Sequence, residues 1–525
     1  MGVGTLDDQR ERYRHTVLTE TATIGERVGM QVGRGVLSVA AGLILLALAM
    51  VGYTLPPPFD PPPLTTDPVF QTLPAQPPGE ARHVPLAAQI VTQDITVDVG
   101  DTTLEATIRA PLTPGRHPAL IFVQGAGPGV RSEFTTQAEA LARTGIVTLT
   151  YDKRTVRYDF RNRDFGLLAD DALRVLERLR LRADVDPARI GLWGVSEGSW
   201  VVPIAAAKSS DVGFTVLVSA PNVSPMRQVS WAMGEQLDRL HAPSGVRDLI
   251  IRAMSAVHMN FLRYDGLPAL RGIHQPVLAL YGTRDPSIPF VESSQALTAA
   301  LAESGNTDYT IRYLAGADHG MRIHGGPFVP GYLETLSNWV KGLPGTARPA
   351  VHIAGATPVQ RYEASEVPNA PWYAGGTVLG LALCLAAVGY VVGPVTEMVL
   401  RLRGRQLPAD ANALIWPPIR RRLHRMAWTG LGLLISVLAF ITLLVLFSVN
   451  QAGAWPAVLA GWLVIRILAV LMLLQEVTAV AAVVSGMREG WEPSRPQRAA
   501  TAGVLGSTGL LLVAGAYYSL FAFPW

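Results

Sequence analysis

The chain has 525 residues, an apolar fraction of 49% and a formal net charge of only +3. That length accommodates several domains, and the small net charge gives no footing for nucleic-acid binding. A single cysteine, Cys384, excludes a disulfide framework within one chain.

Apolar residues concentrate in long runs at both ends. Residues 1–34 are polar and charged, with Arg10, Arg12, Arg14, Arg27 and Arg34, and are assigned to a cytoplasmic N-terminal segment. Residues 35–55 carry no charge and are long enough to cross a bilayer, so they are predicted to be a transmembrane anchor. Ala47-Leu48-Ala49 resembles the small-x-small site of a cleaved signal peptide. Signal peptides have shorter apolar cores, of about 7–15 residues, which favours the anchor; both readings export the globular region C-terminal to it. Residues 56–84 are proline-rich, with P-P-P-F-D-P-P-P at their start, and are expected to form an extended, semi-rigid linker.

Residues 85–345 have a globular composition. Alternating stretches on either side of Gly100-Asp101 predict an opening hairpin. Short apolar strands are predicted at 119–123, 146–151, 190–193, 215–218, 277–281 and 309–314. Helical spacing falls between them, at 137–144 and 167–181. This alternation predicts an α/β fold, a mainly parallel sheet with helices on both faces. Residues 225–264 interrupt it and are expected to form a helical lid insertion. A second linker is expected at 346–371. The remainder, 372–525, is expected to be a four-helix transmembrane region, with apolar segments near 372–400, 427–449, 456–486 and 501–523. Arg466, Gln475 and Glu476 lie inside the third of these. Charged residues in a span mark an ion or substrate path, snorkel to the interface, or pair within a bundle.

Arginine placement predicts sidedness, because cytoplasmic flanks are enriched in basic residues. The five arginines of 1–34, the cluster Arg401, Arg403, Arg405, Arg420, Arg421, Arg422 and Arg425, and the group Arg488, Arg495 and Arg498 fall on one side only if the chain crosses five times. The expected location is therefore the cell membrane, with five spans, a cytoplasmic N-terminus and residues 56–371 extracytoplasmic.

Within the globular region, Gly194-Val195-Ser196-Glu197-Gly198 is a G-x-S-x-G pentapeptide between a predicted strand and an apolar, helix-compatible run. Strand, tight turn and helix is the context in which a serine hydroxyl projects above a sheet as a nucleophile. The pattern also occurs in ordinary strand–helix turns, so the partners decide. An activated serine needs a base and a carboxylate that orients it, in the chain order serine, acid, histidine. Asp285 follows strand 277–281 and His319 follows strand 309–314, each in the loop where open parallel sheets bind ligands. An aspartate there also serves turns and helix caps. His324 is the weaker alternative base, and Asp318 is too close in sequence to His319 to orient it well. The remaining requirement is a pair of backbone N–H donors for an oxyanion. Glu197 N–H, after the serine, is the first candidate. Ala126 N–H, in the Gln124-Gly125-Ala126-Gly127-Pro128-Gly129 loop after strand 119–123, is the second. That loop is not a phosphate loop, since no Lys-Ser/Thr pair comes after it.

Residues 85–345 resemble the α/β-hydrolase superfamily. The likeness rests on V-Q-G-A-G-P-G, Y-D-K-R at 151–154, L-A-D-D-A at 168–172, D-P-A-R-I-G-L-W-G-V-S-E-G at 186–198, Y-G-T-R-D-P-S-I-P and G-A-D-H-G. It is particularly similar to bacterial esterase, acyl-hydrolase and dipeptidyl-peptidase-like branches. Gln124 stands where many members have histidine, and Thr155-Val156-Arg157 replaces a glycine-rich stretch. The resemblance implies a serine hydrolase of an ester, thioester or amide, with catalytic Ser196, Asp285 and His319. It implies no metal and no organic cofactor, and a small-molecule or peptide substrate; the membrane segments lie outside the resemblance, and their apolar length makes a lipid bilayer the other expected partner. A serine peptidase of the same fold is the nearest alternative, although no propeller-sized N-terminal domain is recognisable. A non-enzymatic membrane sensor or transport component with a hydrolase-like domain is the other.

Overall fold

The computed structural model describes residues 35–83, 89–159, 161–256, 260–402, 417–449 and 455–523. The arginine-bearing segment 1–34, Arg403, Arg405, most of the short loop at 450–455 and Trp525 lie outside the described residues. The chain divides into two compact units. One comprises Phe59–Arg239 and His258–Val367; the other comprises Met1–Pro58, Leu240–Val257 and Pro368–Trp525.

The first unit is built on a nine-stranded sheet. Its strands are β1 (Ile90–Asp98), β2 (Thr103–Pro111), β3 (His117–Val123), β4 (Val147–Tyr151), β5 (Val185–Val195), β6 (Phe214–Val218), β7 (Val277–Gly282), β8 (Tyr309–Leu314) and β9 (Ile353–Gly355). Their spatial order is β1-β2-β4-β3-β5-β6-β7-β8-β9. Only the β1–β2 and β2–β4 pairings are antiparallel; the rest are parallel. The central strands read as unbroken apolar runs because both of their faces are covered, and every residue of β4, β6 and β7 is buried.

Successive strand residues feed opposite faces. Ile121, Leu149, Leu192, Leu217, Ala279 and Ile311 enter one core, with Phe165, Leu176, Val201 and Leu297 from the helices Phe165–Arg180, Gly198–Lys208 and Phe290–Glu303. Leu120, Phe122, Trp193, Val216, Leu278 and Leu280 enter the other, with Leu141 and Leu336 from the helices Thr135–Arg143 and Tyr332–Gly342. This is the α/β-hydrolase fold.

The stretches expected to be linkers are built into this unit. In the stretch 346–371, Ile353–Gly355 forms β9 and pairs in parallel with β8. Within 56–84, Phe70 and Leu73 are buried in the first core, and Leu64 N–H donates to Arg361 O at 2.9 Å. Glu80 receives two hydrogen bonds from Arg312, at 2.5 and 2.6 Å. The Arg312 side chain is 0% exposed and also donates to Ile311 O, His352 O and Val351 O at 2.8–2.9 Å. Proline spacing alone predicted an extended chain; it could not reveal the apolar residues between prolines as core members.

The second unit holds the long apolar helices. Among the described residues, Gly35–Thr54, Ile419–Leu444, Pro456–Arg488 and Gln497–Tyr517 are each long and apolar enough to cross a membrane, and Gly376–Val392 is a shorter apolar helix. The last of these lies within the helix Gly376–Leu402. It meets the helix Arg495–Tyr517 through small residues: a Cβ on Gly389 would stand 2.6 Å from Gly503 O, and one on Gly503 would stand 3.0 Å from Gly389 O. Close backbone approach through small residues is how apolar helices associate without a hydrophobic driving force. Arg466 is buried and donates to Leu520 O and Ala522 O at 3.1 and 2.8 Å, closing orphan carbonyls past a helix end rather than snorkelling outward.

The insertion 225–264 is divided between the units. The helix Pro225–Arg239 belongs to the sheet unit, and the helix Ser244–Ala256 to the apolar-helix unit. There Asp248 accepts from Ser519 Oγ at 3.0 Å, and Arg252 donates to Tyr517 O.

Removing one partner of a buried ion pair leaves the other charge uncompensated, at a cost of about 3 kcal/mol. Glu80→Ala should destabilise the sheet unit by less than that, because Glu80 is 25% exposed and Arg312, though buried, keeps three carbonyl acceptors. The check is the thermal midpoint of the detergent-solubilised chain; an unchanged midpoint would show the pair to be without stabilising effect.

Candidate active site

Ser196 sits on the turn between β5 and the helix Gly198–Lys208, with φ at 54°. A non-glycine residue in the left-handed region is strained, and the surroundings hold it there. Ser196 N–H donates to Val218 O at 3.1 Å, and Ser196 O accepts from Ser199 N–H at 2.9 Å. The flanking glycines make the turn possible. A Cβ on Gly194 would stand 2.5 Å from Gly198 O, and one on Gly198 would collide with the carbonyl of Val123.

Asp285 follows β7 and is 1% exposed. Its Oδ1 accepts from Ser287 N–H at 2.7 Å. Its Oδ2 lies 2.8 Å from His319 Nδ1, in the loop after β8. Two further contacts fix that loop: Ser219 Oγ donates to His319 O at 2.9 Å, and Arg284 N–H donates to Ala317 O at 2.9 Å. Val218 and Ser219, at the exit of β6, thus tie to Ser196 on one side and His319 on the other. The structure brings Asp285 and His319 into direct contact, and it places Ser196, Asp285 and His319 at the carboxyl ends of β5, β7 and β8.

Asp318 faces elsewhere. Its two oxygens accept from the N–H groups of Gly320, Arg322 and Gly325 at 3.0, 2.9 and 2.7 Å, so it organises the loop. His324 is exposed.

Partial desolvation of the half-buried His319 ring opposes its protonation. The charge of Asp285, its hydrogen bond and the nearby charge of Asp318 outweigh that and raise the pKa above the ordinary histidine value. An aspartate that holds Nδ1 as the protonated nitrogen leaves Nε2 as the acceptor.

Of the two candidate oxyanion donors, Glu197 N–H follows Ser196 directly, while Ala126 is exposed in the loop after β3. A Cβ on Gly125 would stand 3.4 Å from Ser196 Cβ, so this loop lies against the serine. Gln124, in place of histidine, is buried and donates through Nε2 to Tyr151 O.

Sequence reasoning missed one cluster. The Glu197 side chain is 1% exposed and Lys153 is 2% exposed. Glu197 Oε1 accepts from Lys153 Nζ at 2.9 Å and from Tyr158 Oη at 2.6 Å; its Oε2 accepts from Arg163 Nη1 at 2.8 Å. Burial lowers the Lys153 pKa, while the Glu197 charge and hydrogen bond pull it back upward. The only signal in the sequence was Y-D-K-R directly after a strand, a place where open sheets put ligands. Nothing in one sequence tells such a lysine from a solvated one.

The sequence profile of the Prolyl oligopeptidase family matches residues 160–334. Uncharacterized proteins of Mycobacterium tuberculosis, from strains H37Rv and CDC 1551 / Oshkosh, are 27% identical over 225 residues, which is 42% of this chain and 73% of theirs. Among solved structures, 2,6-dihydroxy-pseudo-oxynicotine hydrolase is 15% identical with a TM-score of 0.36, covering 51% of this chain and 72% of its own. Dienelactone hydrolase of Anabaena variabilis is 17% identical with a TM-score of 0.33, over 50% and 100% of the two chains. Acylaminoacyl peptidase of Pyrococcus horikoshii is 15% identical with a TM-score of 0.36, over 49% and 42%. With the strand order of the sheet, the profile match assigns the sheet unit to the α/β-hydrolases and the enzyme class to the serine hydrolases.

The raised pKa of His319 rests on Asp285. Asp285→Asn removes the larger attraction and its hydrogen bond, leaving that of Asp318, so the His319 pKa should fall relative to the unaltered protein. Titration of labelled histidine by NMR reads this directly; an unmoved value would mean that the 2.8 Å contact carries no electrostatic weight. In the unaltered protein the sign is the reverse. His319 protonation contributes stability at pH below the free-histidine range, and that contribution is lost as pH rises through the raised value.

Proposed function

We propose that the chain is a membrane-tethered serine hydrolase that cleaves an ester, thioester or amide through Ser196, His319 and Asp285. The reading is carried by the 2.8 Å contact between Asp285 Oδ2 and His319 Nδ1, made one loop away from a serine held at positive φ on an elbow. Ser196 Oγ attacks the substrate carbonyl carbon while His319 Nε2 takes its proton. The carbonyl electrons move to oxygen, and the N–H groups of Glu197 and Ala126 receive that oxyanion. Collapse of the intermediate expels the leaving group, which takes the proton from His319. Water, deprotonated by the same nitrogen, then releases the acyl group and restores Ser196. Asp285 orients the ring and stabilises its charged form throughout. Every step is proton transfer and acyl transfer among these residues, substrate and water.

The Prolyl oligopeptidase family profile favours a second reading within the same chemistry, in which the scissile bond is a peptide amide. Hydrolysis measured over esters of increasing chain length and over dipeptide amides separates the two by which series is turned over.

For the membrane region we propose five spans with a cytoplasmic N-terminus. The four long apolar helices and the helix Gly376–Leu402 supply the crossings. With five, the arginines of 1–34, of 401–425 and of 488–498 share one side. The sheet unit then faces the extracytoplasmic side. A reporter active only outside should be active when fused at Gly345 and silent at Pro408; the opposite pattern would put the site in the cytoplasm.

Ser196→Ala should abolish hydrolysis and labelling by a fluorophosphonate probe without loss of fold. His319→Ala should lower kcat strongly and add nothing further to Ser196→Ala, because such residues act as a unit. Full activity in Ser196→Ala removes the assignment. Hydrolysis should also fall as pH drops, since a neutral imidazole must accept the serine proton. The acid limb should lie above the ordinary histidine value because the His319 pKa is raised. A rate independent of pH through that range would exclude His319 as the base.

A further inference from the structure

The cluster around Glu197 brackets the peptide that carries the second oxyanion donor. Lys153 Nζ donates to Gly125 O, which fastens the carbonyl on one side of Ala126. Tyr158 Oη accepts from Gly127 N–H at 3.2 Å, which fastens the amide on the other side. Lys153 Nζ also donates to Tyr158 Oη at 3.3 Å, and both side chains donate to the same oxygen of Glu197. All three ammonium donors of Lys153 are thereby satisfied.

A trans peptide is planar, and its C=O and N–H point in opposite directions. Holding the Gly125 carbonyl toward Lys153 therefore turns Ala126 N–H away from Lys153. Gly127 sits at φ 99°, so the loop leaves Ala126 by a conformation that glycine, lacking a Cβ, adopts readily. Ala126 itself is exposed, while the groups that fix its two neighbours are buried. Glu197 completes the link, because its side chain holds the clamp while its own backbone N–H is the first donor beside Ser196.

We propose that Lys153 and Tyr158, held together by the Glu197 carboxylate, are positioning residues that aim Ala126 N–H at the oxyanion. This rests on the serine-hydrolase reading. The pair would set the distance between the two oxyanion donors, so its loss acts on the transition state and leaves ground-state binding largely alone.

The test uses the full chain in detergent, a p-nitrophenyl ester that the wild type hydrolyses, and an aryl trifluoromethyl ketone, whose serine adduct carries an oxyanion. Lys153→Met should lower kcat by about 10- to 100-fold, less than the about 100- to 1,000-fold lost when an oxyanion donor is removed outright, with KM within about threefold. The ketone should bind more weakly by the same factor as kcat/KM falls. Tyr158→Phe should give a smaller loss of the same kind. Lys153→Met leaves the buried Glu197 carboxylate paired with Arg163 and Tyr158, so its thermal midpoint, read beside that of Tyr158→Phe, is the control for fold. A loss of kcat that the ketone affinity does not follow would make the cluster purely structural and overturn the proposal, as would a single variant with kcat near wild type. Loss of the underlying reading looks different: wild type would then resist the fluorophosphonate probe, or Ser196→Ala would hydrolyse normally.

Discussion

The site depends on how closely the β5 turn approaches the end of β3. No side chain fits at Gly198, where a methyl group would meet the backbone carbonyls of Val123 and Gln124. None fits at Gly194, which passes 2.5 Å from Gly198 O once a Cβ is imagined there. The chain reverses from strand to helix inside that space, and the residue at the apex must take φ near 54°. The left-handed conformation costs about 1–2 kcal/mol for a residue with a Cβ. Bonds on either side of Ser196, to Val218 O and from Ser199 N–H, offset it. The same proximity brings the Gly125 loop against the serine, so the strained residue and its candidate donors come from one packing event.

Lys153 and Arg154 are consecutive cations with opposite assignments. Arg154 pairs with Asp171 through two bonds of 2.6 and 2.7 Å and has no exposed side-chain surface. It anchors the chain leaving β4 to the helix Phe165–Arg180, and those hydrogen bonds, outweighing its burial, raise its pKa further. With Arg154 fixed, Lys153 is delivered to Glu197. A buried ion pair gains little net stability over apolar residues of equal size. Beside Ser196 the pair supplies direction instead: a charged hydrogen bond holds the Gly125 carbonyl in one orientation, which apolar packing cannot do.

The sequence made the framework legible for identifiable reasons. Strands β3, β6, β7 and β8 are apolar runs bounded by polar turns, and their periodicity announced them within a residue or two. Asp285 and His319 were readable because each stands directly after such a strand, and the structure places them 2.8 Å apart. The strand β9 was not readable. It has three residues, Ile353–Gly355, in a stretch whose composition resembles a linker, and it exists because β8 offers an edge. Likewise Phe70, Leu73 and Glu80 sit among prolines; the first two are core members, and Glu80 finds its partner, Arg312, more than two hundred positions away. The side chain of Glu197 was invisible for the same reason: its partners at 153, 158 and 163 meet it only once β4 and β5 are placed in the sheet. Local pattern reveals elements; charge partners across the sheet appear only in three dimensions.

The insertion between β6 and β7 carries this lesson furthest. Its composition is rich in helix formers and apolar residues, so it reads as one lid over 225–264. Physically it serves two cores. In the sheet unit, Arg227 of the helix Pro225–Arg239 reaches Ala364 O at 2.5 Å, and Gln228 reaches Ser287 O at 2.6 Å, two residues past Asp285. In the apolar-helix unit, Gly245 of the helix Ser244–Ala256 leaves room for the Trp462 ring, which would stand 2.5 Å from a Cβ. Arg252 and Asp248 are bound there to Tyr517 and Ser519. A helix that seats a tryptophan ring at a glycine, donates to a carbonyl and accepts from a hydroxyl is held by the unit that supplies that ring, carbonyl and hydroxyl. A freely hinged flap would need few buried contacts and exposed backbone bonds, and this helix has neither property. Its sequence place within the insertion and its physical place among the apolar helices are therefore different facts.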